Sequence, residues 1–143
     1  DHYRKLELLE WTIEQDIPIA NGIKPTRNNF NRYFNEKMFF ENKCYGTEII
    51  AIKDEQYIGT TNLSVFPRSD PFKAWTEGLG VLKEFRRRGI GTALKIKAIN
   101  VLINKGIREV RTDNELNNQM YKINEKLGFY PIPNSLEYLK VID

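Results

Sequence analysis

Cysteine and histidine are nearly absent from this chain: Cys44 and His2 are the single examples of each. One cysteine cannot close an internal disulfide, and the pair cannot supply a Cys/His metal centre or a cysteine–histidine dyad. Cys44 is therefore read as a small apolar filler. No apolar run approaches the ~18 residues that a membrane-crossing helix needs. No N-terminal stretch has the basic, then apolar, pattern of a secretory leader, so the expected setting is the cytoplasm, with no membrane partner. Excess charge of one sign is also scarce, since 22 Lys and Arg against 19 Asp and Glu leave a net charge of only +3. A nucleic-acid partner would want a broad basic face interleaved with aromatics, which is missing. What remains is an ordinary composition, 41% hydrophobic over 143 residues, enough for one domain to bury a core unaided by disulfides or metals.

The most informative stretch runs from an apolar strand end at Val81 and Leu82, through Arg86-Arg87-Arg88-Gly89-Ile90-Gly91-Thr92, into an apolar helix. Glycine lets consecutive amides turn toward one point, and a new helix adds unsatisfied N–H groups and the positive end of its dipole. That combination suits a phosphate. The spacing Arg-x-x-Gly-x-Gly lacks the third glycine of a dinucleotide fingerprint and the Gly-Lys-Ser/Thr ending of a triphosphate loop.

Downstream, Asn117-Asn118-Gln119-Met120-Tyr121-Lys122-Ile123-Asn124-Glu125-Lys126-Leu127-Gly128-Phe129 carries two stripes at helical spacing. Met120, Ile123 and Leu127 form an apolar stripe, while Asn117, Tyr121 and Asn124 line up hydrogen-bonding groups on the adjacent one. Gly128 fits a helix C′ position, with a strand expected from Phe129 to Ile132.

These two segments, in this order, resemble the GNAT superfamily of N-acetyltransferases. Arg86, Gly89 and Gly91 meet its coenzyme A pyrophosphate signature, Gln/Arg-x-x-Gly-x-Gly/Ala. The second segment is similar to its final helix, which reads Asn-x-x-Ala and ends in Lys-x-Gly-Phe. The likeness spans roughly residues 48 to 143.

Elsewhere the pattern predicts a helix over Lys5–Glu14 and a second one N-capped by Thr26 and bearing Phe30, Tyr33, Phe34 and Met38. A hairpin follows over Glu48–Lys53 and Gln56–Phe66, turned at Asp54-Glu55, and Pro67–Pro71 reads as a loop. A strand over Ala74–Val81 feeds the glycine turn. The helix over Gly91–Lys105 is apolar nearly all round, which predicts that it is sandwiched, and Gly106 ends it. Ile107–Thr112 is a strand, and Leu136–Ile142 closes the chain. The resulting order, α-α-β-β-β-α-β-α-β-β, makes an α/β fold with a mixed central sheet flanked by helices, the GNAT fold that the resemblance implies. The usual first strand is missing, because Asp1–Arg4 is too short and polar to supply it. The expectation is a shortened form, or the C-terminal part of a longer protein, with an upstream domain or a homodimer covering the edge of Glu48–Lys53.

The resemblance also implies a chemistry: direct acetyl transfer from acetyl-CoA to an amine of a small molecule or a protein. The backbone near Val81 and Leu82 is then expected to bind pantetheine and the thioester carbonyl. The turn from Arg86 to Thr92 holds phosphate, and Asn117 and Asn124 serve the cofactor. On alternation, Trp75, Glu77, Leu79 and Val81 share a face, and the family's strand carboxylate makes Glu77 the candidate base, against a merely solvated glutamate. The family's thiolate-protonating tyrosine is replaced here by Asn124, which can only donate a hydrogen bond. Tyr121, one turn earlier, is the candidate acid. Phe30, Tyr33 and Phe34 either line the acceptor pocket or are core. Asn124 also keeps open a degenerate module that binds acyl-CoA, or supports a neighbouring domain, without turnover.

Overall fold

The computed structural model describes residues 1–17, 25–44, 47–66, 70–113 and 119–132. They fall in two compact units, 1–113 and 114–143, each taken here by itself. The first contains α1 (His2–Glu14), α2 (Phe30–Cys44), β1 (Thr47–Lys53), β2 (Gln56–Phe66), β3 (Asp70–Val81), a short 3₁₀ turn (Lys83–Phe85), α3 (Ile90–Asn104) and β4 (Glu109–Arg111). The second contains α4 (Gln119–Lys126). Among the described residues no helix is long and apolar enough to cross a membrane.

Local chemistry explains most boundaries. Asp54 and Glu55 both have positive φ, 47° and 65°, the geometry of the two-residue hairpin turn whose twist matches its strands. Helix α2 begins at Phe30 rather than near Thr26, because the Asn29 carboxamide accepts from the Arg32 amide at 2.9 Å and so satisfies an orphan donor of the first turn. At the end of α3, Ile107 N–H donates to Leu102 and Gly106 N–H to Ile103. Phe129 to Asn124 and Gly128 to Glu125 repeat the pattern at the end of α4. This paired closure needs a left-handed residue, and Gly106 and Gly128 supply it at φ 77° and 86°. Residues 129–132 form no strand. Leu136–Ile142 and residues 67–69 of the expected loop lie outside the described residues, and Asp70 and Pro71 already belong to β3.

The sheet order is β1-β2-β3-β4. The first three strands are antiparallel, and β4 runs parallel to β3 over Lys73–Trp75 only. In the β2·β3 ladder, Leu63 faces Thr76 while Asn62 faces Gly78, leaving Glu77 as an extra residue. This bulge overturns the single face expected for Trp75, Glu77, Leu79 and Val81, because one inserted residue flips everything beyond it. Ala74, in the cluster of Leu63, Val65, Ala98 and Leu102, lies on the α3 face. Leu79 and Val81, opposite Thr61 and Gly59, continue that face. Trp75, Gly78 and Gly80 lie on the other, toward α1.

The α1 face packs Leu6, Leu9 and Ile13 with Leu82, flanked by Tyr33, Ile50 and Phe85. Tyr33 is therefore core, and Phe30 and Phe34 stack on each other at 6.2 Å. Helix α3 buries Leu94, Lys95, Ala98 and Leu102, but Ile96 and Ile103 are 44% and 62% exposed, so it covers the sheet with one side instead of being sandwiched.

Close approach of α1 requires Gly80: a Cβ there would stand 2.3 Å from Ile13 Cγ2. Gly80→Ala is expected to destabilise the fold by about 1–3 kcal/mol, the usual cost of overpacking. Chemical denaturation checks this, and in an Ile13→Ala background, which removes the Cγ2 and Cδ1 atoms nearest the new Cβ, Gly80→Ala should cost less.

Candidate active site

Peptide groups of a strand point alternately to its two edges. Leu82 N–H donates to the Ile58 carbonyl of β2 at 2.9 Å, and the Leu82 carbonyl accepts from Phe85 N–H at 2.9 Å. The Leu82 N–H is thus committed to β2, while its carbonyl has accepted one bond and keeps a second lone pair. The Val81 and Leu79 amides, out of phase with Leu82, look to the β4 side. There β4 has already parted from β3: pairing stops at Trp75, and beyond it, among the described residues, the Thr76 hydroxyl makes a long contact to the Arg111 carbonyl, 3.5 Å. From Glu77 to Val81 this edge has no partner strand among the described residues, so it can accept an extended, amide-bearing chain as a strand would. Leu79 joins Val81 here. The sequence reading missed it because the direction of a peptide group follows from pairing, not composition.

Glu77 sits at the bulge and is exposed. Bulges commonly re-aim a side chain beside a site. Here the bulge takes Glu77 out of the regular ladder, at the head of the free edge.

The turn after β3 holds two departures from ordinary backbone, one residue apart. Arg87 has φ 61°, a left-handed conformation that costs a non-glycine residue about 1–2 kcal/mol. Gly89, at φ 78°, is the N-cap of α3 and provides no side-chain cap. The space where its Cβ would lie is open to 4 Å. Ala93 N–H makes the first helical bond, to Gly89 at 2.9 Å, so the amides of Ile90, Gly91 and Thr92 precede the ladder and gather at the dipole's positive end. Arg88 Nη2 donates to the Glu84 carbonyl at 3.1 Å, and its guanidinium lies over the Phe85 ring. Arg86 turns inward, with Nε to the Val81 carbonyl at 2.8 Å and Nη2 to Asp16 at 2.7 Å.

In the second unit, Tyr121 is half-buried on α4 and Asn124, one turn on, is 5% exposed. Asn117 lies outside the described residues. The burial of Asn124 fits a residue facing inward from the helix.

A polar cluster on the α1 face went unseen in the sequence. Lys37 of α2 reaches Glu10 of α1 at 2.6 Å and both Glu48 oxygens of β1 at 3.2 and 3.1 Å, and Thr60 donates to Glu48 at 3.1 Å. Burial, offset in part by Lys37 and reinforced by Glu10, pushes the Glu48 carboxyl up to about 7. The buried Tyr33 hydroxyl lies beside the Glu10 carboxylate. Its burial and the surrounding Glu10, Glu48 and Glu7 carboxylates hold the phenol well above its usual range, so it stays protonated.

Comparison with known proteins decides what this geometry belongs to. The model of the acetyltransferase (GNAT) family matches residues 7–129. The chain belongs to the GNAT acetyltransferase family. No curated protein sequence matches it. Among solved structures, aminoglycoside acetyltransferase AAC(6')-Iy with a bisubstrate coenzyme A analogue is 23% identical, covering 99% of this chain and 92% of that one at a TM-score of 0.70. The aminoglycoside 6'-N-acetyltransferase AAC(6')-IG from Acinetobacter haemolyticus is 21% identical over 96% and 94%, TM-score 0.65. A transcriptional regulator from Bacillus halodurans C-125 is 17% identical over 96% and 94%, TM-score 0.75. At such identities the likeness establishes the shared fold.

Acetyl-CoA is the cofactor of this family, and the residues present fit it. The uncapped amides and open space at Gly89 suit phosphate, Arg87 and Arg88 add charge, and the free edge at Leu79 and Val81 suits pantetheine amides. The bound cofactor would supply an acetyl group activated as a thioester. The protein's own share would be to hold that arm in place.

Proposed function

We propose that this GNAT protein is an N-acetyltransferase that moves an acetyl group from acetyl-CoA directly to an amine of a small molecule. The observation that carries the reading is that the end of β3, whose outer edge has no partner strand among the described residues beyond Trp75, leads through one turn into the amide-lined start of α3. Such a run would meet both the amides and the phosphates of a single elongated cofactor. Two of the structures sharing the fold are aminoglycoside acetyltransferases, which supports a small, cationic amine as acceptor. Glu77, exposed beside the free edge, takes the amine proton directly or through water. Val81 N–H would polarise the thioester carbonyl of bound acetyl-CoA toward the neutral amine. For the cofactor's thiolate, the family resemblance offers Tyr121 as a proton donor and Asn124 as a hydrogen-bond donor.

A thiol-release assay over a panel of amines tests turnover. The cofactor site is tested separately by Gly91→Val, which crowds the first-turn amides. Coenzyme A binding by calorimetry should weaken at least tenfold while the circular dichroism spectrum is kept, a tenfold loss corresponding to ~1.4 kcal/mol. Unchanged affinity in the folded variant removes this placement of the phosphates. Binding without turnover on any amine would favour the module without catalysis that Asn124 keeps open.

A further inference from the structure

Arg86 ties three segments together. Its Nε donates to the last carbonyl of β3, that of Val81, at 2.8 Å, and its Nη2 to Asp16 Oδ2 at 2.7 Å. Asp16 stands just beyond α1, with its amide donating to the Ile13 carbonyl at 3.0 Å. Two donors of the guanidinium are therefore spent inside the protein, one on a neutral carbonyl and one on a carboxylate that offsets its charge. An incoming phosphate would have to compete with Asp16 for the same fork. The family signature also admits glutamine at this position. Glutamine has N–H donors for a carbonyl but no charge for a phosphate, so what the two residues share is the donor. The peptide that Arg86 grips is itself held from its other side, through Leu82 N–H to Ile58. Gripping it fixes the direction of the next amide back along β3, that of Val81.

We propose that Asp16 is a positioning residue: through Arg86, which acts as a strap and not as a phosphate ligand, it sets the Val81 peptide and the turn that presents the α3 amides to the cofactor. This rests on the reading of that turn as the acetyl-CoA site. Phosphate charge then falls to Arg87, Arg88 and the helix amides. The side chains of Arg86 and Asp16 are 38% and 36% exposed. Pairs so exposed add little to stability, so a functional effect here would not come from unfolding.

The test is calorimetric titration of coenzyme A into wild type, Asp16→Asn, Asp16→Glu, Arg86→Gln and the double variant Asp16→Asn/Arg86→Gln, at low and high salt. Asp16→Asn should weaken binding about three- to tenfold, the scale of a lost supporting contact, with the melting temperature held within about 3 °C. Asp16→Glu should restore affinity. In the Arg86→Gln background, Asp16→Asn should add no further loss, and Arg86→Gln should keep the wild-type salt dependence, since no phosphate pair is lost. Steady-state kinetics should show a raised acetyl-CoA KM together with a lowered kcat, because the Val81 N–H that the strap sets also polarises the thioester carbonyl. If Arg86 were the phosphate ligand, freeing it from Asp16 would leave affinity unchanged or tighter, and Arg86→Gln would flatten the salt dependence. Either result overturns the strap while leaving the cofactor site standing. A wild-type protein that does not bind coenzyme A overturns both.

Discussion

Replacing Lys37 with methionine is expected to destabilise the protein by about 3–5 kcal/mol at pH 8, the scale of removing one partner from a buried charge pair. The Lys37 side chain is 13% exposed, and the carboxylates it bridges, Glu10 and Glu48, are 23% and 15% exposed. Without the ammonium, two carboxylates share a space with little water, and Met has the stem length to keep the packing, so the loss reports charge. The pH dependence gives the sign. Burial has raised the Glu48 carboxyl from its usual 4.5 to about 7, so between those values the folded state holds a proton that the unfolded state has released. The stability from this group is fully present below about pH 4.5 and is lost as pH rises through about 7. Removing Lys37 removes a charge that pulls Glu48 downward, so its carboxyl moves higher still and the loss continues to higher pH. The Lys37 ammonium itself is shifted upward from 10.5, with burial opposing and the two carboxylates prevailing, so it stays charged throughout and adds no slope. Urea unfolding at pH 5 and pH 8 checks this. The gap between wild type and variant should be wider at pH 8, and an equal gap at both would show that the cluster acts through packing alone.

That cluster also marks the limit of what the sequence made legible. Features resting on a few neighbouring residues were readable: the hairpin turn at Asp54-Glu55, the glycines closing α3 and α4, and the amide-rich start of α3. Each is a local backbone problem with few solutions. Features that are relations between distant residues were not. Glu10, Lys37 and Glu48 meet only because α1, α2 and β1 converge. Arg86 was legible as a basic residue in a phosphate-binding signature, but its partner Asp16, 70 positions away, was not. The Glu77 bulge is a mismatch between two strands, invisible in either alone, and it reassigned the faces of half of β3. Lys95 shows the same limit from the side of burial. It lies in a helix whose sequence is apolar nearly all round, it is 3% exposed, and burial lowers its ammonium to about 8.

Tyr121→Phe is expected to lower kcat by about 10²–10⁴-fold, the usual contribution of a general acid, with little change in acetyl-CoA affinity. Asn124 is where the chain departs from the family pattern. It occupies the position where the family places a tyrosine, and its carboxamide can donate a hydrogen bond to a thiolate but cannot protonate it. Tyr121 is on the same stripe of α4, one turn earlier, and carries the phenol. If the phenol supplies the proton, its loss is felt only where charge develops on sulfur, so kcat and kcat/KM fall together. Asn124→Tyr should then restore part of the rate in the Tyr121→Phe background, because the family residue returns to its own slot. If instead Asn124 merely orients the cofactor and the thiolate leaves unprotonated, Asn124→Ala should raise the acetyl-CoA KM, and Tyr121→Phe should be nearly neutral. Pre-steady-state measurement on the best acceptor amine separates chemistry from product release. A Tyr121→Phe enzyme that keeps the wild-type rate of the chemical step excludes the tyrosine as the acid and leaves thiolate departure to hydrogen-bond donors alone.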